Sequence, residues 1–193
     1  MKEIYFATSN KGKVLSVNKT LSKYGIEVIH KPLDLPEIRS EDLSKIAKVK
    51  VLFAYENVKK PCIAIDSGFY IDSLKGFPKA FVNFALNTID IEGILKLVEN
   101  KNRDCAFRNC LAYFDQDLKD PVFFEGVVEG TISEAPKGEM QDFCWSKLFL
   151  IFIPNGETKT LGQMTEKEYQ EWRNKRSEDS YTTKFAEWFS SKK

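Results

Sequence analysis

The alternation of apolar runs with helical patterns constrains the fold of this chain more than any other feature. The run Lys2–Thr8 predicts a buried strand, and apolar residues at helical spacing follow from Lys13. Further apolar runs at Glu27–His30 and Pro61–Tyr70 predict two more strands, with a helical segment between them. Because strands alternate with helices, this order favours an α/β protein.

The second half of the chain adds a pair of long strands. Arg103–Phe114 and Val122–Ile132 are rich in aromatic and β-branched residues and are joined by a short polar connection, which predicts a hairpin. A further strand is predicted within Phe143–Pro154. The first predicted helix begins at Lys13 and ends before Gly25. The second runs from Ser40 or Asp42 to about Asn57, and the third from the Pro78 turn through Leu86. The remaining three run from Asp90 to near Glu99, over Thr165–Lys175, and over about Glu178–Phe189. Together these elements favour an α/β fold with a mixed sheet.

Composition excludes several classes of function. The formal charge is only +1, from 29 basic and 28 acidic residues, so the strongly basic face of a nucleic-acid-binding protein is not expected. No apolar run approaches the roughly 18 residues of a membrane span, and the N-terminus lacks a signal-peptide pattern. We therefore expect a cytoplasmic protein with one domain over residues 1–193, and neither a nucleic-acid nor a membrane partner.

Cysteine and histidine chemistry is also disfavoured. The four cysteines show no C-x-x-C spacing, and His30 is the single histidine, so a zinc site is not expected. Catalysis by a Ser-His-Asp or Cys-His arrangement is disfavoured for the same reason. The cysteines are better interpreted as buried free thiols in a reducing compartment.

The loop Thr8-Ser9-Asn10-Lys11-Gly12-Lys13 joins the first strand to the first helix. A strand-to-helix loop presents backbone N–H groups and a helix N-terminus, which together bind phosphate in many α/β proteins. Serine, asparagine and glycine are equally the usual residues of an ordinary turn. The loop alone leaves both interpretations open.

Two acidic residues occupy positions that suit a metal or a general base. Asp66 follows the apolar strand residues Ile63–Ile65, and Glu37 lies in the proline-stiffened segment Leu35–Ile38. Mg²⁺ commonly takes one or two protein carboxylates and completes its shell with water and phosphate oxygens. Alternatively, Asp66 caps a turn and Glu37 is a solvated loop residue.

Aromatic and basic residues near the C-terminus also allow two interpretations. Phe143 and Trp145 flank Cys144 and either stack on a nucleobase or fill the core. The run Trp172–Arg176 is basic at the end of a predicted helix, which suits the helix dipole and also suits a polyphosphate.

Taken in order, these segments resemble the inosine triphosphate pyrophosphatase family, whose members remove non-standard purine nucleoside triphosphates. The resemblance covers nearly the whole chain. It rests on the loop Thr8–Lys13, Leu35–Ile38, Asp66-Ser67-Gly68, Leu74–Pro78, Phe123–Gly126, Val128–Gly130, Gln141–Trp145, Phe152–Pro154 and Met164-Thr165.

The resemblance implies a fold, a reaction and a set of site residues. It implies an α/β structure with an elongated central mixed sheet and flanking helices that form two lobes around a cleft, usually in a homodimer. It implies Mg²⁺- or Mn²⁺-dependent hydrolysis between the α and β phosphates. By position, Thr8, Ser9, Asn10 and Lys13 would hold phosphates. Glu37 and Asp66 would bind the metal, and Asp66 would also act as the base. Ser67 and Gly68 would shape the turn after Asp66, and Phe143 and Trp145 would flank the nucleobase.

The chain departs from the family pattern where the nucleobase is read. The expected glycine and aspartate after Phe143 are replaced by Cys144 and Ser146. In the family's motif near the C-terminus, Tyr169 replaces the lysine, and residues 173–175 replace the sequence Ser-His-Arg. Lys175 and Arg176 still supply positive charge. A helical lysine of the family matches Lys48 or Lys50, with the register left open.

The retained phosphate and metal residues predict an active pyrophosphatase for non-standard purine triphosphates, with an altered base preference. Two alternatives remain: a catalytically impaired nucleotide-binding protein that kept the fold, and a pyrophosphatase of the same fold for another modified nucleotide.

Overall fold

The computed structural model describes residues 2–178 and 180–192. Within these ranges the chain forms seven strands and five α-helices. The strands are β1 Lys2–Ala7, β2 Ile26–Lys31, β3 Cys62–Ile71, β4 Pro78–Lys79, β5 Asp104–Phe114, β6 Val122–Ile132 and β7 Phe152–Pro154. The helices are α1 Lys11–Leu21, α2 Leu43–Val58, α3 Val82–Leu97, α4 Glu166–Lys175 and α5 Tyr181–Ser191.

The strands form one mixed sheet, which confirms the predicted α/β class. The strand order is β2-β1-β3-β5-β6-β7, with β4 paired to β3. β1 is parallel to β2 and to β3, whereas β4 is antiparallel to β3 and β7 is antiparallel to β6. The register of β1 and β2 places Phe6 opposite His30. The predicted pair Arg103–Phe114 and Val122–Ile132 corresponds closely to the neighbouring strands β5 and β6.

The chain divides into two compact units. The first unit contains Met1–Ser67, Asn109–Gly126 and Ser177–Lys193, and the second contains Gly68–Arg108 and Val127–Arg176. Each unit has its own apolar core. The first core includes Phe6, Leu21, Ile63, Tyr113 and Phe185, and the second includes Phe69, Phe107, Phe149, Phe152 and Trp172. The prediction of a single domain over residues 1–193 stays a prediction.

Capping residues fix the helices of the first unit. The Asn10 side chain accepts a hydrogen bond from the Lys13 backbone N–H, so α1 begins at Lys11 and not at Lys13 as predicted. Gly25 follows the helix with φ 69°, as expected of a residue that ends a helix. Asp42 accepts from two backbone N–H groups and caps α2, which resolves the choice between Ser40 and Asp42.

Three further boundaries differ from the prediction. Asp66, expected at the carboxyl end of the apolar strand residues Ile63–Ile65, lies inside β3, because the strand continues to Ile71. The strand predicted within Phe143–Pro154 is confirmed at Phe152–Pro154 only, since 147–150 form a 3₁₀ helix. The last helix begins at Tyr181 rather than near Glu178, and Asp179 lies outside the described residues.

The predicted break at Asp90 is confirmed. Asp90 has φ 51° and ψ −165°, which interrupts α3, and Lys147 forms an ion pair with its carboxylate at 3.0 Å.

Across 2–178 and 180–192, every helix is too short or too polar to span a lipid bilayer.

Candidate active site

The strand-to-helix loop after β1 is organised by its own side chains. The Thr8 hydroxyl accepts a hydrogen bond from the Asn10 N–H at 3.1 Å, and the Asn10 carbonyl oxygen of the side chain caps α1. His30 on β2 adds a contact of 2.8 Å between its Nε2 and the Thr8 carbonyl oxygen. Ser9 is exposed at the tip. The loop therefore has a defined shape at the N-terminus of an eleven-residue helix, where an anion is favoured.

Lys13, in the first turn of α1, extends from this loop to β3. Its ammonium group donates to the Ser67 hydroxyl at 3.0 Å, and Ser67 donates in turn to the Asn109 side-chain oxygen at 2.8 Å. Burial is the largest influence on Lys13 and lowers its pKa to about 8. The Asp66 carboxylate raises this pKa and the Lys50 charge lowers it further. An anion bound here would favour the charged ammonium.

Asp66 is a buried carboxylate with a direct cationic partner. The distance between Lys50 Nζ and Asp66 Oδ1 is 2.6 Å, and the two side chains are 12% and 11% exposed. Lys48, two residues earlier on α2, instead pairs with Asp120 at 2.8 Å in a solvated setting. The structure therefore places Lys50, and not Lys48, at the candidate site.

Asp66 and Glu37 are the two carboxylates predicted to bind a divalent cation. The Lys50 ammonium donates a hydrogen bond to Oδ1 of Asp66, and within the described residues Oδ2 makes no hydrogen bond. Glu37 is exposed in the loop before α2 and has no hydrogen bond or ion pair to the described residues. Among residues 2–178 and 180–192, no group of three or more histidine, cysteine or acidic side chains is arranged to hold a metal ion. A cation with one or two protein carboxylates and several phosphate or water oxygens is compatible with this donor set.

Gly68 stands where β3 comes close to β4. A Cβ atom at this position would lie 2.8 Å from the Lys79 carbonyl oxygen and 2.8 Å from the Tyr70 ring. Only glycine fits without a shift of this backbone. Gly68 therefore allows the close approach of β3 to β4 after Asp66 and Ser67.

The two aromatic candidates lie in the core of the second unit. Phe143 is 8% exposed and stacks on Tyr169, with ring centroids 4.4 Å apart and 15° between the planes. Trp145 is half-buried and makes edge contacts with Phe107 and Phe149. Tyr169 thus covers one face of Phe143, and the interpretation as core residues accounts for these contacts fully. Their role beside a nucleobase stays a prediction.

The basic residues at the end of α4 have local partners. The Arg173 guanidinium lies 5.8 Å from the Tyr169 ring centroid, and Arg176 donates to the Val127 carbonyl oxygen at 3.3 Å. Lys175 is exposed at the last residue of the helix. Cations at a helix C-terminus are favoured by the dipole, so the fold alone explains them. Their contact with a polyphosphate stays a prediction.

Within the first unit, the fold brings together the loop 8–10, Lys13, Asp66 and Ser67. Asn109 stands in no motif that the sequence reveals, and the sequence alone does not distinguish Lys50 from Lys48. Fold and site together define a class: an α/β protein that carries a lysine–carboxylate site beside a strand-to-helix loop suited to phosphate.

The chain belongs to the Ham1 family, whose sequence profile matches residues 4–177. A protein of Methanopyrus kandleri named dITP/XTP pyrophosphatase is 36% identical over 97% of this chain and 96% of its own length. A protein of the same name from Methanosarcina acetivorans is 30% identical over the full length of both. The resemblance to the family of non-standard purine triphosphate pyrophosphatases is thereby confirmed.

Solved structures support the same fold. The structure of a HAM1 protein from Coxiella burnetii superimposes with a TM-score of 0.77 at 22% identity, over 99% of this chain and 98% of that one. The Ham1 protein of Staphylococcus aureus gives a TM-score of 0.76 at 22% identity, over the full length of both chains.

Proposed function

We propose that this protein hydrolyses nucleoside triphosphates of non-standard purines to the monophosphate and pyrophosphate, with Mg²⁺ or Mn²⁺. The observation that supports the proposal most strongly is the buried Asp66 carboxylate, paired with Lys50 and coupled electrostatically to Lys13. Relatives with at least 30% identity over almost the whole chain carry the name dITP/XTP pyrophosphatase. A buried carboxylate among cations beside an anion-favouring loop supplies what phosphoryl chemistry needs, which is mainly positioning and charge neutralisation.

The residues of the first unit have separable roles in this proposal. The loop 8–10 and the N-terminus of α1 hold phosphate oxygens, and the Lys13 ammonium neutralises part of their charge. Lys50 orients the Asp66 carboxylate through Oδ1, and this carboxylate accepts a proton from the attacking water. The water oxygen bonds to the α phosphorus. The bond from that phosphorus to the oxygen that bridges to the β phosphate breaks, and pyrophosphate leaves. When bound at Asp66 and Glu37, the metal would supply further charge neutralisation for the phosphate oxygens.

The residues expected to recognise the base depart from the family pattern. Ser146 accepts a hydrogen bond from the Leu148 N–H and thereby caps a 3₁₀ helix, and Tyr169 packs on Phe143. Neither side chain supplies the carboxylate or ammonium group that the family pattern has at that position. A site with fewer polar partners for the base discriminates less between bases. We therefore propose turnover of inosine and xanthosine triphosphates with a smaller preference over standard purines.

Ser146 and Tyr169 also favour one further candidate, a nucleotide-binding protein with impaired catalysis. A third interpretation, a pyrophosphatase for another modified nucleotide, changes only the substrate. A homodimer and a cytoplasmic location remain predictions.

A substrate panel separates these candidates. The protein is incubated with ITP, dITP, XTP, GTP, ATP and dUTP in the presence of Mg²⁺ or Mn²⁺, and pyrophosphate and orthophosphate are quantified. Pyrophosphate release from ITP or XTP supports the enzyme. Melting-temperature shifts with these nucleotides but no turnover would support the binding protein. Turnover confined to dUTP would overturn the purine assignment.

A further inference from the structure

Asn109 is a buried amide that no sequence motif identifies. It lies on β5 and is 5% exposed. Its side-chain oxygen accepts a hydrogen bond from the Ser67 hydroxyl at 2.8 Å. A buried amide in the apolar setting of β5 costs free energy unless it is hydrogen-bonded, so its placement requires a specific partner.

The hydrogen bonds of Ser67 follow from its chemistry. A serine hydroxyl has one hydrogen to donate and two lone pairs that accept. The hydrogen is donated to Asn109, and a lone pair accepts from the Lys13 ammonium at 3.0 Å. In this arrangement Ser67 has no hydrogen left for a phosphate oxygen. It acts as an acceptor that holds Lys13.

We infer that Asn109 positions the Lys13 ammonium through Ser67. Asn109 fixes the direction of the Ser67 O–H bond, which turns a lone pair towards Lys13. Ser67 accepts one hydrogen of the Lys13 ammonium and so fixes the direction in which this charge faces a bound anion. This inference rests on the proposed function in one respect, namely that the anion is a polyphosphate. It assigns Ser67 the role of holding Lys13, whereas the family resemblance implies only that Ser67 shapes the turn after Asp66.

Loss of Asn109 should weaken polyphosphate binding only through Lys13. In the variant Asn109→Leu, whose side chain branches at the same carbon but carries no polar atom, the Ser67 hydrogen is free to rotate and Lys13 loses its fixed position. We expect affinity for inorganic tripolyphosphate to fall about fivefold, the value of one ordinary hydrogen bond. In a Lys13→Met background the same substitution should change affinity by less than about twofold.

The experiment is a double-mutant cycle read by calorimetry with Mg²⁺ and inorganic tripolyphosphate. It compares wild type, Asn109→Leu, Lys13→Met and the double variant, with a thermal melt of each. Ser67→Ala provides a second route, because it removes the same link if Asn109→Leu does not fold. Cys110→Ala is the matched control: Cys110 is the next residue on β5 and is 1% exposed, and its substitution should act equally in both backgrounds.

Non-additivity confined to the Asn109 and Ser67 variants supports the inference. Equal losses with and without Lys13 would overturn it, as would unchanged affinity in both Asn109→Leu and Ser67→Ala. Absence of tripolyphosphate binding to the wild type would also overturn it. The proposed function is judged separately, by pyrophosphate release from ITP or XTP. A protein that binds tripolyphosphate with this pattern but hydrolyses no nucleotide upholds the role of Asn109 and refutes the enzyme.

Discussion

Replacement of Lys50 by methionine should strongly destabilise the protein, whereas replacement of Lys48 should not. Both lysines lie on α2 and both pair with an aspartate. The Lys50 and Asp66 side chains are 12% and 11% exposed, whereas those of Lys48 and Asp120 are 44% and 75% exposed. The two substitutions therefore remove the same charge from a buried and a solvated setting.

The magnitudes follow from burial. Removal of one partner from a buried ion pair leaves an uncompensated charge and costs about 3–5 kcal/mol. A remaining partial interaction of Asp66 with Lys13 places the expected loss for Lys50→Met at the lower end, about 3 kcal/mol. An exposed pair contributes about 0–1 kcal/mol. For a protein of this size, a loss of 3 kcal/mol corresponds to a fall of about 6–12 °C in Tm.

Urea denaturation and thermal melts of wild type, Lys50→Met and Lys48→Met measure these differences. The double variant Lys50→Met/Asp66→Asn should recover part of the loss, since it also removes the unpaired carboxylate. Millimolar Mg²⁺ should stabilise Lys50→Met more than wild type, because Asp66 is then free of its lysine partner. Equal effects of Lys50→Met and Lys48→Met would refute the assignment of Asp66 and Lys50 as a buried pair.

Three further predictions concern other parts of the chain. Because burial, with a smaller contribution from Lys50, lowers the pKa of Lys13 to about 8, tripolyphosphate binding at pH 8.5 should take up about 0.5–0.8 proton. Calorimetry in buffers of different ionisation enthalpy should detect this uptake, which should be absent at pH 6.5 and in Lys13→Met. Burial alone would raise the pKa of Asp115, but hydrogen bonds from Lys192 and Tyr113 outweigh it and lower that pKa. The folded-state pKa lies below the unfolded one, so this stabilisation is present at neutral pH and is lost as pH falls through the folded-state pKa. Asp115→Asn should therefore cost about 2 kcal/mol at pH 7, and denaturation at acid pH should show the difference closing. Finally, a Cβ at Gly130 would lie 2.3 Å from the Ile153 carbonyl oxygen, so Gly130→Ala should lower the free energy of unfolding by about 3 kcal/mol in urea titrations.

Much of the fold was predictable because local patterns and tertiary packing agree. The apolar run at Lys2–Thr8 has one consistent interpretation, and the start of α2 had only two candidate caps, Ser40 and Asp42. The segment after Phe143 misled the prediction, because its alternation of aromatic and aliphatic residues suits a buried strand as well as a buried 3₁₀ turn. Periodicity over so few residues cannot distinguish the two.

The site was partly predictable for a similar reason. Thr8, Lys13 and Asp66 stand in local motifs, so the sequence indicates them directly. Lys50 shares the helical spacing of the buried residues Leu43, Ala47 and Ala54, which is a usable signal that it faces the core.

Asn109 had only a weak signal, a polar residue in a strand whose other residues are mostly buried. Its link to Lys13 depends on the pairing of residues far apart in sequence, which no local pattern contains. The contact of Tyr169 with Phe143 is of the same kind, since it joins a loop to a helix through the core of the second unit.

Product analysis of XTP hydrolysis tests the proposed chemistry most directly. The wild-type protein with Mg²⁺ should release one pyrophosphate for each XMP and no orthophosphate. Asp66→Asn should reduce the rate by about 100-fold or more, because the proton acceptor is lost. Release of orthophosphate, or an unchanged rate in Asp66→Asn, would contradict the proposal that Asp66 accepts a proton from the water that separates the α and β phosphates.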